Sequence, residues 1–375
     1  MTDPTTAPLD DRLAAYVRDA ARSPSAHNTQ PWSPRVVDCA IEVAVVPGRT
    51  LPAGDPTFRD LLLGLGAWVE SVAISAAQDG RGIVVEPLPA LGQLDEMPAH
   101  GPADPALPVV RLHLVDGTPS TPFTPAHVRD RRTFRGALLP AADIWPAAPP
   151  LPAALRLLEL DAPAMTHLTR LGLAFTASRP TVAAELVQWL RLSPEHPRYR
   201  LDGMTDVMLG LSAPVARLAA PITRRPRLHD RALAVAGVVG RTLEGLGRDR
   251  PLPRRQDAPP GDRVRHLVLV ADPGVGTDPG DRVGAARTSA TESADSRIGV
   301  SEIVALEAGR SLQRLWLHAH THGVVVSPHS EVIDSPLAHG ALRRRLGLRR
   351  SEVALAVFSA GRASSAVPRS PRLTD

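Results

Sequence analysis

Apolar residues along this chain follow two spacings, one helical and one strand-like. Leu13, Tyr16 and Val17 lie three and four positions apart within Asp10 to Ala21, which predicts an amphipathic helix. Asp60 to Gln78 is almost wholly apolar and small, the pattern of a helix buried on most sides. Along it Leu62, Gly66, Val69 and Ala73 leave room for close approach by another element. Ala162 to Ala177, Val182 to Leu192 and the long run Ile298 to His322 also read as helices. Shorter apolar runs predict strands at Arg35 to Asp38, Ile41 to Val46, Gly82 to Pro87, Leu107 to Val115, Ala154 to Glu159, Arg263 to Ala271 and Glu352 to Ser359. The later elements repeat the scheme of the earlier ones. Pro119, Pro122 and Pro125 stiffen the stretch Asp116 to Pro125, which predicts a connection between a first half, residues 1–117, and a second, residues 118–375. An Arg/Pro/Gly-punctuated insertion, residues 211–260, has no counterpart in the first half.

Composition narrows this picture. Hydrophobic residues make up 43% and aromatics only 3%, so the core must be Leu, Val and Ala, which favours helix-rich packing around a modest sheet. The length allows two packed domains. All 43 basic residues are arginine, a mark of high-GC codon usage, and the net charge is only +4. Nucleic-acid binding calls for clustered basic residues interleaved with aromatics, and the chain lacks that pattern. Arg343-Arg344-Arg345 and Arg349-Arg350 flank a short helix as its solvated end. The single Cys39 excludes an intrachain disulfide, and zinc-ligand spacing is absent. A cytoplasmic setting without signal peptide or membrane span is expected. His318 and His322 are four apart, but two imidazoles with no carboxylate at matching spacing make a poor metal site, so no metal is expected.

The stretch with the most chemistry is Pro24-Ser25-Ala26-His27-Asn28-Thr29-Gln30-Pro31-Trp32. It sets two amides, two hydroxyls and an imidazole between two prolines. A planar polar heterocycle offers alternating donors and acceptors on its edge, and side-chain amides answer both from one group. The same string also reads as a helix start capped by Ser25, followed by a Pro-bounded turn. Arg131-Arg132-Thr133-Phe134-Arg135 is a second candidate. Guanidinium forks pair bidentately with phosphate oxygens, and on a helix Arg132 and Arg135 would share a face. It equally reads as a solvated basic helix.

The nine-residue string resembles the PS-x-x-N-x-Q-P-W signature of the FMN-dependent nitroreductases, and its SAHNTQPW spelling resembles the Acg-like branch, in which one chain carries two such halves. Arg131 to Arg135 resembles that family's phosphate-gripping R-R-[ST]-x-R box. The tail Pro368-Arg369-Ser370-Pro371-Arg372 resembles its basic terminus, and Gly323 to Glu331 resembles the G-[LIV]-x-x-x-P segment near flavin N5. The resemblance implies an α+β fold of two tandem halves, each a mixed or antiparallel sheet flanked by helices, packed as a pseudo-dimer that acts as a monomer. It implies FMN addressed by Ser25, His27, Asn28 and Gln30. Arg131, Arg132, Thr133, Arg135 and Arg369 or Arg372 would hold the phosphate, with Pro328, His329 and Ser330 near the ring. NADPH or NADH would bind transiently over the flavin, because Gly274-Val275-Gly276 lacks the dinucleotide-fold pattern. Electrons would pass to a small acceptor such as a nitro compound or quinone, with flavin as the reactive group and no catalytic side chain. The insertion would lie over the flavin as a lid. If it blocked the ring face, the chain would be a non-catalytic flavin holder; a biosynthetic tailoring dehydrogenase is the remaining alternative.

Overall fold

The computed structural model describes residues 9–96, 105–117, 120–224, 261–273 and 297–374, with short pieces between 234 and 254. It separates into two compact units. One comprises Met1–Arg131, Glu302–Leu317 and Pro371–Asp375; the other comprises Arg132–Ser301 and His318–Ser370. The first unit takes two segments from far along the chain. Both units combine helices with an antiparallel sheet, so the chain is α+β.

In the first unit, β1 (Trp32–Val37), β2 (Ala40–Val45), β3 (Arg81–Pro87) and β4 (Leu107–Asp116) form one sheet in the order β1-β2-β4-β3. Asp38 and Cys39, both at positive φ (48° and 60°), make the two-residue turn between β1 and β2. Helix α1 (Leu9–Ala20) lies against α2 (Arg59–Gln78), where Ser23 and Ser71 share a 2.8 Å hydroxyl contact and Ser75 donates to Asp19 at 3.0 Å. Helix α2 has the length and hydropathy of a membrane span, yet 89% of that window is buried inside the protein. It is the core helix its composition predicts. Against it lies the Glu302–Leu317 part of a long helix. Gly66 and Gly309 let the two backbones meet, since a Cβ on either would fall 2.0 Å from the Leu306 carbonyl oxygen or 2.3 Å from that of Leu63. Polar groups join the same crossing. Gln313 donates to Ser71 at 3.0 Å, and Arg310 and Arg314 converge on Glu70 at 3.0 and 3.2 Å. The short helix α3 (Pro125–Asp130), capped by Thr124, ends the unit's first segment.

The second unit is built on β5 (Leu138–Leu139), β6 (Leu155–Leu160), β9 (Arg265–Ala271), β10 (Val325–Pro328) and β11 (Val353–Ala363), ordered β10-β11-β9-β6 with β5 on the far end of β11. Helix α4 (Ala162–Ser178) packs on one face through Leu168 and Leu171, which meet Val268, Val270 and Val357 of the sheet. Helix α5 (Pro180–Gln188) stops short of the expected Leu192, because Leu190–Arg191 (β7) pairs in parallel with Met204–Thr205 (β8). Helix α6 (Ala213–Arg224) is the part of the insertion described as an element; residues 225–233 and 255–260 of the expected lid lie outside the described residues, as does Gly274-Val275-Gly276. The long helix α7 (Glu302–Thr321) passes from one unit to the other. Then come α8 (Glu331–Asp334) and α9 (Pro336–Leu346), the latter closed by Gly347 at φ 61°.

Candidate functional site

The amide-rich loop is not a capped α-helix. Ser25 is extended, Ala26–Asn28 make a single 3-10 turn, and His27, Asn28 and Gln30 all have positive φ (49°, 57° and 51°). Three residues other than glycine in the left-handed region cost backbone energy, so surrounding contacts must hold them there. Those contacts are visible. The Gln30 amide donates to the Ser25 hydroxyl at 3.0 Å, and Arg49 donates from Nε to the carbonyls of Thr29 and Gln30 at 2.6 and 3.1 Å. Trp32 is buried and begins β1, which ties the loop to the sheet.

The largest departure from expectation concerns the two amides. Asn28 and Gln30 are buried, and their side chains meet the chain's own tail. Asn28 donates to the Pro371 carbonyl at 3.1 Å and accepts from Arg372 Nη1 at 2.7 Å; Gln30 Oε1 accepts from the Leu373 amide at 2.9 Å. Arg372 is 3% exposed and donates also to the carbonyls of Ala21, Arg22 and Ser23 at 2.8, 3.1 and 3.2 Å. Its fork is engaged by the loop and the turn before it. Arg369 is exposed and lies in the other unit.

Arg131 has the opposite character. It is buried, its Nη2 lies 3.4 Å from the Arg22 carbonyl, and its guanidinium sits 5.6 Å from the centre of the Trp316 ring. Its Nε and Nη1 have no hydrogen-bond partner among the described residues. Burial, and then the Arg22 guanidinium beside it, push its pKa down to about 10. Unsatisfied donors on a buried cation are costly, and an anionic ligand is the group that satisfies them. This pairing within the first unit was not legible in the sequence, where Arg131 was one arginine of a box.

The rest of the box is not helical. Thr133 bridges Val326 in parallel, and the Phe134 amide donates to the Val326 carbonyl at 2.9 Å. This extended pairing replaces the expected shared helix face. Within the second unit it sets Thr133 and Phe134 beside Val326, in the strand that leads into Pro328-His329-Ser330. The Glu331 carboxylate acts on Arg135, partly offsetting a desolvation that lowers its pKa. Beyond this strip runs a chain the sequence reading missed. His329 Nδ1 meets Glu331 Oε1 at 3.1 Å, and Ser359 Oγ lies 3.0 Å from His329 Nε2 and 2.8 Å from His266 Nδ1. The Ser359 hydroxyl thus links the two imidazoles, with Glu331 at the far side of His329. Ser359 is 5% exposed in mid-strand, so it braces the two rings instead of attacking a substrate. The two histidines four apart at the end of α7 are engaged locally: His318 Nε2 donates to the Ile144 carbonyl, and His322 Nδ1 to that of His318, both at 2.8 Å.

A shallow hollow, partly open to solvent, lies under the loop and is lined by Ser25, Thr29, Thr50, Asp55 and Asp60 among others. Asp55 accepts from the Leu61 amide at 2.9 Å at the start of α2, while its Oδ1 has no partner among the described residues. Burial, and then the Asp60 carboxylate, raise its pKa to about 7. His266 is shifted the other way, to about 4, by burial and then by His329. The two titrations oppose each other. Between pH 4 and 7 folded Asp55 keeps a proton that the unfolded chain releases, so its contribution to stability falls as pH rises. Between pH 6.5 and 4 folded His266 refuses a proton that the unfolded chain binds, so its contribution falls as pH drops. Asp55→Asn should therefore gain stability over wild type at pH 8, on the order of 4 kcal/mol, and little at pH 4. His266→Asn should gain roughly 3 kcal/mol at pH 4 and little at pH 7. Urea melts at several pH values give both differences; a difference that does not vary with pH removes the corresponding assignment.

Comparison with known proteins finds relatives over part of the sequence. No family model matches the chain. It is 30% identical over 193 residues to "Putative NAD(P)H nitroreductase acg" of Mycobacterium tuberculosis, in strain CDC 1551 and equally in strain H37Rv, a match covering 50% of this chain and 52% of the relative. A shorter match, 38% over 61 residues, covers 16% of the chain and 18% of "Putative NAD(P)H nitroreductase Rv3131" from strain H37Rv. The chain thus spans about half the length of the first curated relatives it matches. Among solved structures, "Crystal structure of a putative nitroreductase from anabaena variabilis" aligns over 95% of this chain and 89% of its own, at 11% identity and a TM-score of 0.42.

Proposed function

We propose that this chain is an FMN-dependent NAD(P)H oxidoreductase of nitroreductase type, which passes electrons from reduced flavin to a small acceptor such as a nitro compound or quinone. One observation carries the reading: the buried Arg131 guanidinium keeps two donors without a partner, in the unit that also carries the amide-rich loop. A phosphate monoester supplies the dianion that those donors require, and the neighbouring Arg22 adds a second positive charge. The nitroreductase names of the curated relatives support the same class, and the resemblance of Pro24 to Trp32 supports the cofactor.

In this reading Arg131 holds the phosphate end. The Ser25 hydroxyl, which accepts from Gln30, keeps its own hydrogen to donate to the ligand. Bound flavin supplies the redox chemistry, accepting hydride from the nicotinamide and releasing electrons to the acceptor. The protein contributes binding, orientation and charge. The test is anaerobic mixing of the purified yellow protein with NADPH or NADH. The oxidised flavin band near 450 nm should bleach (about that wavelength for any flavin). A yellow protein with a flat trace is a flavin holder, and a colourless protein that takes up no FMN ends the proposal.

A further inference from the structure

We infer that Arg372 is a positioning residue, which through the tail Pro371-Arg372-Leu373 clasps the loop Ser25 to Gln30 in its left-handed conformation and so sets the environment that loop offers a bound flavin. The clasp itself stands on contacts within the first unit; only its effect on flavin rests on the proposed function. Among the described residues the Arg372 guanidinium donates to the carbonyls of Ala21, Arg22 and Ser23 and to Asn28 Oδ1, besides its own neighbour Pro371. Two more run from Asn28 Nδ2 to the Pro371 carbonyl and from the Leu373 amide to Gln30 Oε1.

The energetic logic is that of a splint. His27, Asn28 and Gln30 each sit at a φ that residues with a Cβ seldom adopt, and the local turn bonds of Asn28 and Thr29 to Ser25 and Ala26 are two weak 3-10 contacts of 3.0 Å. Left to itself, such a segment relaxes. The tail adds to the bonds that the loop already has with Ser25 and Arg49. Its partners are both the amide side chains and the three carbonyls that precede the loop, so the entry and the strained turn are fixed together. Only arginine can do this from one side chain, because its planar fork offers five donors in fixed directions, while lysine offers three from one point. The role differs from a grip on phosphate, for which charge is the main requirement.

The experiment compares wild type, Arg372→Ala, Arg372→Lys and Gln30→Ala in the full chain by hydrogen–deuterium exchange, without and with FMN. In flavin-free protein, Arg372→Ala should speed exchange at the Asn28, Thr29 and Gln30 amides at least tenfold, and Arg372→Lys should do nearly the same. Gln30→Ala should expose the Leu373 amide by a similar factor, which tests the clasp from its other side if Arg372→Ala does not fold. With FMN, Arg372→Ala should move the flavin's visible maximum or reduction potential and weaken FMN binding at least tenfold. Loop exchange equal to wild type in the Arg372 variants overturns the clasp. Full rescue by lysine also overturns it, because charge alone would then suffice. A wild type that binds no FMN ends the functional reading, and the flavin-free exchange still decides the clasp.

Discussion

Gly66→Ala should leave the first unit barely folded. The new methyl carbon would lie 2.0 Å from the Leu306 carbonyl oxygen and 2.9 Å from the Arg310 amide nitrogen. Both are backbone atoms of the facing helix, so no side chain can turn aside to make room. The helix as a whole must move, because Gly309, whose own Cβ would meet Leu63 backbone at 2.3 Å, lets the two backbones lie in contact here. Separation would also stretch the bonds from Gln313 to Ser71 and from Arg310 and Arg314 to buried Glu70. Alanine in a helix gains about 1 kcal/mol over glycine by propensity. Overpacking of a rigid crossing exceeds that, and a net loss of roughly 4 kcal/mol is expected. Gly92→Ala is the control, because a Cβ there meets nothing within 4 Å. Urea melts of the two variants should differ by that amount; equal midpoints would mean the helices do not cross at these glycines.

Arg131→Met should separate stability from ligand binding. The native side chain is a buried cation with one long bond of 3.4 Å and two donors unpartnered among the described residues, so methionine removes a desolvated charge and fills similar space. Flavin-free protein should therefore melt within about 2 °C of wild type, or higher. FMN binding should fall by roughly a hundredfold or more, since two charge-assisted hydrogen bonds contribute about 1.5–3 kcal/mol each. Fluorescence titration with FMN and thermal melts without it check both arms. A large loss of stability with unchanged FMN affinity would make Arg131 a folding residue and remove the anchor of the proposed function.

The described helices and strands were largely legible beforehand. Helix α2 starts at Arg59 where the pattern indicated Asp60, and the strands shift by one to four residues at their ends. The close approach at Gly66 was visible as a small residue inside an apolar run. Other features left no trace. Asp55 stands in a Gly-Asp-Pro turn that reads as an ordinary loop, and only the fold buries its carboxyl beside the Leu61 amide. Ser359, His266 and His329 come from three separate strand regions, and sheet register alone sets them side by side. The arginine box was taken for a helix because its spacing allowed one, whereas Thr133 is drawn into extended pairing with Val326.

Sequence alone pointed to the buried helix and the loop with the richest polar chemistry, because burial period and turn composition are local properties of the chain; the class of the fold came from the resemblance of its motifs to a known family. Tertiary structure decided what those polar groups do. Asn28 and Gln30 found their partners 343 and 344 positions away, in the tail. Arg131 was left with donors to offer a ligand, while Arg372 was used up within the protein. A side chain's role depends on which acceptors reach it first in space, and residue order does not encode that distance.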